Sequence, residues 1–391
     1  MEKEIGFELI EKLMRDVFIT ADNIFSPLGT TTAANFSQLT KMVSGVKKEE
    51  DRSVSEEPFF AALFDKKKAF LKNETTGKYT RFEELLIASV SDALENSSID
   101  PQDNKTILII SSTKGNIGLL ETEAITPALK ERISLYHSAK QIAGHFKFVN
   151  RPIVISNACI SGLLALITGM RLIQSGQYEN AVISGADLIS KFILSGFQSF
   201  QAISTAPCKP FDATRNGINL GEGAATIILS ANKKNKDCIQ IKGGSISNDA
   251  NHISGPSRTG EELYQAIDKA MQEAGLSAAD IDFISAHGTA TIYNDEMEAK
   301  AITHANLQHV PVNSLKGFYG HTLGAAGLIE SIVTIHSMKE NLILPTMGFT
   351  ATGVTQPINI CTSLYKKFLK NSLKTASGFG GCNAAVIFSK Q

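Results

Sequence analysis

Apolar and polar positions along this chain alternate between two rhythms. Short, nearly continuous apolar runs closed by turn residues predict buried strands at "DVFIT" (16–20), "TILIISST" (106–113), "PIVIS" (152–156) and "NAVISGAD" (180–187). Between them, "RFEELLIASVSDALENS" (81–97) repeats its apolar residues every three to four positions, the spacing of an amphipathic helix. Residues 122–146 read as mostly helical, with Pro127 near their start, and a further helix runs from Cys159 to about 175. "GAATIILSA" (223–231) and "CIQIKGGSIS" (238–247) read as two strands paired around the polar turn "NKKNKD" (232–237).

The second part repeats the rhythm. Helices are predicted at 260–276, 295–306 and 321–339, and strands at 281–288, 310–314, 341–346, 357–361 and 383–389. Regular β/α alternation favours α/β layering. Two stretches of similar rhythm predict a duplicated core, divided here into residues 1–240 and 241–391, although no short sequence repeat demonstrates it. Residues 44–80, charged and irregular, read as a surface excursion.

Composition narrows the class. The chain is 391 residues long, 43% hydrophobic and 20% charged, with a net charge of −1. That balance argues against a nucleic-acid surface, which is usually basic. The N-terminal "MEKEIGFELIEKLMRD" has no apolar signal core, and no run is long and apolar enough for a membrane span, so a cytoplasmic protein is expected. The five cysteines are widely spaced and form no CxxC pair, and the eight histidines form no HExxH pair. Free thiols are therefore expected, and no metal site.

Four segments put reactive residues where strands give way to turns, the usual place for ligands in α/β proteins. Cys159, in "ISNACISGLLAL" (155–166), stands between a strand and a helix. A helix N-terminus there would lower its thiol pKa. A buried structural cysteine is the plainer alternative, but small neighbours Ala158, Ser161 and Gly162 leave room for a substrate. His287 ends an apolar strand in "SAHGTAT" (285–291), with Thr289 and Thr291 after it; it is either functional or a turn residue. In "NSLKGFYGHTLGAAGLIE" (313–330), Lys316 precedes His321 by five residues, and Glu330 follows on the helix that His321 opens. A cation there would keep the imidazole neutral. "GAAG" would let this helix pack closely. In "SGFGGCNAA" (377–385), glycines around Phe379 form either a plain turn or a loop pointing N–H groups at an oxyanion.

Taken in this order, the four segments resemble the β-ketoacyl-acyl-carrier-protein synthases, condensing enzymes of the thiolase-like superfamily, and most closely the elongating type with a Cys-His-His site. "SPLG" (26–29), "ACISG" (158–162), "KPFDATRNGINLGEGAA" (209–225), "NDANHISGP" (248–256) and "AHGTAT" followed by "ND", ending at Asp295, carry the resemblance. It implies a thiolase-like fold of two similar halves in five αβαβα layers. It implies an acyltransferase of fatty acid or specialised, polyene- or polyketide-type, chain elongation that joins malonyl-acyl carrier protein to an acyl chain held on Cys159, with loss of CO₂. His287 and His321 would hold the malonyl carbonyl, and Lys316 would be bridged to Glu330. Thr289 and Thr291 would bind phosphopantetheine, alongside Phe379 and Gly380. Phe379 would also gate the site, and the N–H groups of Cys159 and Phe379 would hold the oxyanion. No cofactor is implied. The implied partners are acyl carrier protein, docked on a basic patch for which Arg215 and the Lys-rich stretches are candidates, and a second copy in a homodimer or a synthase-like subunit in a heterodimer. Departures are Cys382 and Tyr319, each where the family has Thr, and a short loop after Gly118. The alternatives are a non-catalytic partner resembling a chain-length factor, and a thiolase acting on coenzyme A esters, which would use Cys382 as its second cysteine.

Overall fold

The computed structural model describes residues 15–67, 69–71, 77–233 and 238–391. Its first ten-strand set comprises β1 (Phe18–Phe25), β2 (Thr106–Ser111), β3 (Ile153–Ile155), β4 (Asn180–Asp187), β5 (Gly223–Ser230), β6 (Ile239–Asn248), β7 (Phe283–Ser285), β8 (Val312–Asn313), β9 (Asn371–Gly378) and β10 (Cys382–Lys390). Their order in one sheet is β8-β7-β9-β10-β6-β1-β5-β4-β2-β3. Adding five to each number of the block β3-β2-β4-β5-β1 reproduces the other block, β8-β7-β9-β10-β6. The directions repeat as well. β2 lies parallel to β3 and β4, then β4, β5 and β1 run antiparallel in turn; β7 lies parallel to β8 and β9, then β9, β10 and β6 alternate likewise. The topology is therefore duplicated even though the sequence carries no visible repeat. The blocks separate between Ser230 and Ile239, so the division at 240/241 cuts β6 after its first two residues.

The helices repeat likewise, with an offset of three. α1 (Arg81–Glu95), α2 (Leu135–Phe146) and α3 (Ser161–Gln174) belong to the first block; α4 (Glu261–Ala274), α5 (Ile292–His304) and α6 (Ala326–Glu340) belong to the second. α1 begins with a capping box between Thr80 and Glu83 and turns Phe82, Leu85, Leu86 and Val90 onto the first block's outer face. α4 and α5 cover the outer face of the second. α3 and α6 lie between the blocks, each touching strands of both. Each Leu or Ile they bury contributes about 1.5–3 kcal/mol relative to exposure. The result is the expected αβαβα stack, with α3 and α6 as its middle layer.

Several local expectations need correction. The strands at 223–230 and 239–248 exist but do not pair with each other: β1 lies between them, matching Phe18 to Ser230 on one side and to Gln240 on the other. The chain between them joins two blocks rather than two arms of a hairpin; most of the polar turn, 234–237, lies outside the described residues, as does most of the N-terminal segment, residues 1–14. Residues 44–80 are more than a surface excursion. Two short strands, 47–49 and 59–62, join residues 220–221 in a small sheet, and Phe59, Phe64, Phe70 and Tyr79 are buried. The helix expected from 321 starts at Ala326, because positive φ at Gly320 and Leu323 breaks the helical path. β9 lacks any apolar run, since Asn371, Ser372, Lys374, Thr375 and Ser377 stud it, yet it is buried almost throughout.

Candidate active site

The four strand-to-turn segments converge on one place. Cys159 follows β3 through a tight turn in which Ala158 takes a φ of +45°. Ser161 Oγ accepts the Asn157 N–H at 2.8 Å and donates to the Ala158 carbonyl at 2.6 Å, holding the turn. α3 begins at Ser161, with Ile160 as its cap. The middle-layer helices approach closely at their starts: a Cβ on Gly162 would lie 2.8 Å from Gly324 O, and one on Gly327 would lie 2.6 Å from Leu163 N. That glycine contact brings the His321 segment beside the thiol.

His287 stands just past β7, on a turn gripped by two carboxylates from α5. Glu298 accepts the His287 N–H at 2.8 Å and the Gly288 N–H at 2.7 Å. Asp295, one helical turn earlier, accepts the N–H groups of Thr289 (2.9 Å), Ala290 (3.2 Å) and Phe211 (2.7 Å). Burial, with Glu298 nearby, pushes Asp295 up to about 7. His321 is pinned through its backbone: its N–H donates to Asn219 O at 2.7 Å, and its carbonyl accepts from Gly221 at 3.0 Å. The two imidazoles meet edge to face, with centroids 5.2 Å apart.

Behind the rings lies a buried charge cluster. Lys316 Nζ donates to His287 O at 3.0 Å and to Glu330. Lys374 Nζ pairs with the other Glu330 oxygen at 2.7 Å. Burial, reinforced by Lys316, holds both imidazoles well below their ordinary 6.5, with Lys374 adding to the effect. Both are therefore neutral near pH 7.

A cavity of about 390 Å³ opens onto the site. Cys159, His287, His321, Thr289, Thr291 and Phe379 all line it. Lys316, Glu330 and Asp295 stand behind that wall. Gly380 does not line the cavity: its N–H is taken by Ile253 O at 2.7 Å, which braces the loop, and Gly381 faces the cavity in its place. The 378–381 turn lies against the thiol's backbone, since a Cβ on Gly378 would sit 3.0 Å from both Cys159 N and Cys382 Sγ.

Two further expectations fail. Cys159 is not an acidified thiol: burial, with Cys382 beside it, pushes it up to about 12. The helix begins two residues later, at Ser161. Arg215 is no docking residue. Its buried guanidinium is spent on the carbonyls of Asp212, Thr291, Ile292 and Gly353 and on Asp295. Among the departures from the family pattern, Cys382 packs behind the nucleophile turn, while Tyr319 is buried and does not line the cavity.

Sequence reasoning missed Lys374, Glu298 and two cavity aromatics, Phe197 and Phe200, whose rings stand 5.7 and 5.3 Å from that of Phe379. The Glu298 signal was legible: it lies three residues after Asp295 on one helix face. A lysine in a polar strand carries no such signal.

The sequence model of the Beta-ketoacyl synthase, N-terminal domain, matches residues 14–235, and that of the Beta-ketoacyl synthase, C-terminal domain, matches residues 239–350. The 3-oxoacyl-[acyl-carrier-protein] synthase 2 of Vibrio cholerae is 28% identical over 96% of this chain and 99% of its own. Two solved structures share the fold: a beta-ketoacyl synthase from Burkholderia phymatum (24% identity, TM-score 0.87, 97% of this chain and all of that one) and the ishigamide ketosynthase/chain length factor (23%, 0.87, with the same coverage).

Proposed function

This chain belongs to the β-ketoacyl synthase family, and from that premise we propose a course for the reaction at its cavity. The enzyme is an acyltransferase, a 3-oxoacyl-[acyl-carrier-protein] synthase. Cys159 Sγ attacks the thioester carbonyl of an acyl carrier protein, and a C–S bond to Cys159 replaces the one to the carrier. The Cys159 proton passes through a neutral imidazole to the departing carrier sulfur. A thiol pushed up to about 12 needs such an acceptor, which an imidazolium could not be.

Malonyl carrier protein then binds, its thioester carbonyl accepting N–H bonds from His287 and His321. The bond to the carboxylate breaks, CO₂ leaves, and the electron pair rests on the enolate oxygen between the rings. The resulting carbon attacks the Cys159 thioester. Its oxyanion is held by the N–H groups of Cys159 and Phe379, each such donor being worth about 2.7–4 kcal/mol. Collapse expels the Cys159 thiolate, which takes one proton from solvent, and the chain leaves two carbons longer on the malonyl carrier. Thr289 and Thr291 bind the pantetheine arm, and Phe379 gates the acyl side.

One observation carries this reading: a thiol and two neutral imidazoles, supplied by both blocks, open onto one cavity. The acyl carrier protein is the proposed partner, and a second copy is proposed to join at β3, the open edge of the sheet. Among the described residues, no helix is long and apolar enough to cross a membrane; a cytoplasmic site of action is proposed. The test is a Cys159→Gln variant given malonyl carrier protein. CO₂ release without condensation is expected. A thiolase or a non-catalytic partner would release none.

A further inference from the structure

We propose that Lys374 is a positioning residue for the imidazole pair: with Lys316 it grips three successive carbonyls of the His287 turn and shares Glu330 between two ammonium groups. This rests on the reaction proposed above.

Lys374 sits in the middle of β9, fully buried. Its Nζ donates to Ser285 O and Ala286 O, both at 3.2 Å, and to Thr375 O at 2.8 Å, while pairing with Glu330 at 2.7 Å. Lys316 takes the next carbonyl, that of His287. The two ammonium groups thus hold the carbonyls of 285, 286 and 287, while Glu298 holds the N–H groups of 287 and 288 from the opposite side. The same Glu298 accepts the hydroxyl of Thr375, Lys374's neighbour, at 2.6 Å. The β9 pair Lys374–Thr375 therefore anchors both edges of the turn that aims His287.

The charge balance gives this arrangement a second effect. Burial lowers Lys374 from its ordinary 10.5, while Glu330 and Glu298 oppose that shift; with both lysines protonated, Lys316, Lys374 and Glu330 sum to one positive charge behind the rings. The titratable and charged groups around the rings are Lys374 from β9, Glu330 from α6, Lys316 from the short helix before His321, Glu298 and Asp295 from α5, the Cys159 thiol, and Asp249 and His252, which line the same cavity. Asp187, at the end of β4, reaches the His321 segment through the Gly324 N–H at 2.7 Å. A lone Lys–Glu pair would leave the rings beside a neutral unit. The second lysine makes protonation of either ring costlier, and it does so in a cavity where the rings must donate N–H bonds and also accept a thiol proton.

The experiment follows both rings by NMR in the full chain carrying isotope-labelled histidine. Neither wild-type ring is expected to titrate between about pH 5.5 and 8. Lys374→Gln keeps N–H donors for the carbonyls but removes the charge; at least one midpoint should rise by ~1 pH unit above its wild-type position, wherever on the acid side that lies. Lys374→Met combined with Glu330→Gln restores the net positive charge, and the rings should stay neutral across the window. Midpoints unmoved from wild type in Lys374→Gln, or raised above wild type in the double variant, would overturn the proposal. If Lys374→Gln does not fold, Lys374→Met supplies the same comparison with the double variant: raised midpoints in Lys374→Met that return to wild type in the double variant support the proposal, and equal midpoints overturn it.

Malonyl decarboxylation supplies a second readout. In Lys374→Gln, kcat at pH 6 should fall by up to ~3-fold and recover as pH rises, with KM nearly unchanged, because Lys374 touches no substrate. A purely structural loss would not depend on pH in this way, and finding one would count against the proposal. If the wild-type protein releases no CO₂ at all, the assigned reaction fails, while the titrations still test Lys374.

Discussion

The two blocks share one topology yet treat corresponding turns differently. After β2, the turn at 112–114 is held by a single carboxylate: Asp187 takes the Ser112 hydroxyl at 2.7 Å, the Thr113 N–H at 3.0 Å and the Lys114 N–H at 3.2 Å. After β7, the matching turn carries His287 and is held by two carboxylates on its N–H side and two ammonium groups on its carbonyl side. The turns after β3 and β8 carry Cys159 and His321. Duplication thus supplied two equivalent sets of strand ends. The difference lies in what stands behind them: the first block presents a buried thiol, and the second presents imidazoles backed by buried lysines.

The largest expected effect breaks the comparison on the first block's side. Cys159→Ala should reduce chain extension by at least ~10³-fold, measured as labelled malonyl carrier protein converted to ketoacyl product. Retained condensation would move the nucleophile elsewhere. Next comes a contrast between the two turn anchors. Glu298→Ala strands the N–H groups of His287 and Gly288 and the hydroxyl of Thr375, so urea unfolding should show a loss of about 3–5 kcal/mol. It should also depress malonyl decarboxylation more than acyl loading of Cys159. Asp187→Ala should destabilise comparably but slow both half-reactions alike, because it anchors both the 112–114 turn and the His321 segment. If the two variants shift the half-reactions equally, the claimed division between the blocks does not hold.

Much of this site was legible in the sequence because strand-to-turn junctions carry their own punctuation. Cys159 between a β-branched run and small residues, and His287 before Gly288, announce themselves locally. The supporting shell does not. Lys374 sits in a strand whose polar residues hide its burial, and only the sheet order reveals that β9 is central. The pairing of 223–230 with 239–248 looked local but was not, because nothing in a single sequence shows that β1 inserts between them. The thiol's raised pKa was equally invisible, since burial is a property of packing.

Proton linkage gives a smaller effect that sharpens the contrast. Burial keeps His287 and His321 unprotonated in the folded chain, whereas they titrate near 6.5 when it unfolds. The unfolded state binds more protons below that pH, so stability falls as pH drops, by about 1.4 kcal/mol per pH unit for each ring. Asp295, pushed up to about 7, opposes this. Its stabilising proton is present below the unfolded value of 3.8 and is lost as pH rises towards 7. Asp295→Asn should therefore steepen the rise of stability from pH 5 to pH 6.5 by up to about 1.4 kcal/mol per pH unit, read from urea midpoints. An unchanged slope would mean that Asp295 is ionised in the fold. The smallest effect belongs to the shared wall of the cavity. Phe379→Ala removes the ring packed between Phe197 and Phe200. It should redistribute product chain lengths with little change in decarboxylation, and an unaltered profile would remove its gating role.

The central claim is that a thiol from one block and two imidazoles from the other act on a single substrate pair. Intact-protein mass spectrometry, with peptide mapping, tests it most directly. After incubation with an acyl carrier protein, one acyl group should be found on Cys159, and it should disappear on adding malonyl carrier protein, with one CO₂ released per acyl group discharged. A chain bound at another residue, or an acyl-Cys159 that persists while CO₂ is released, would contradict the account.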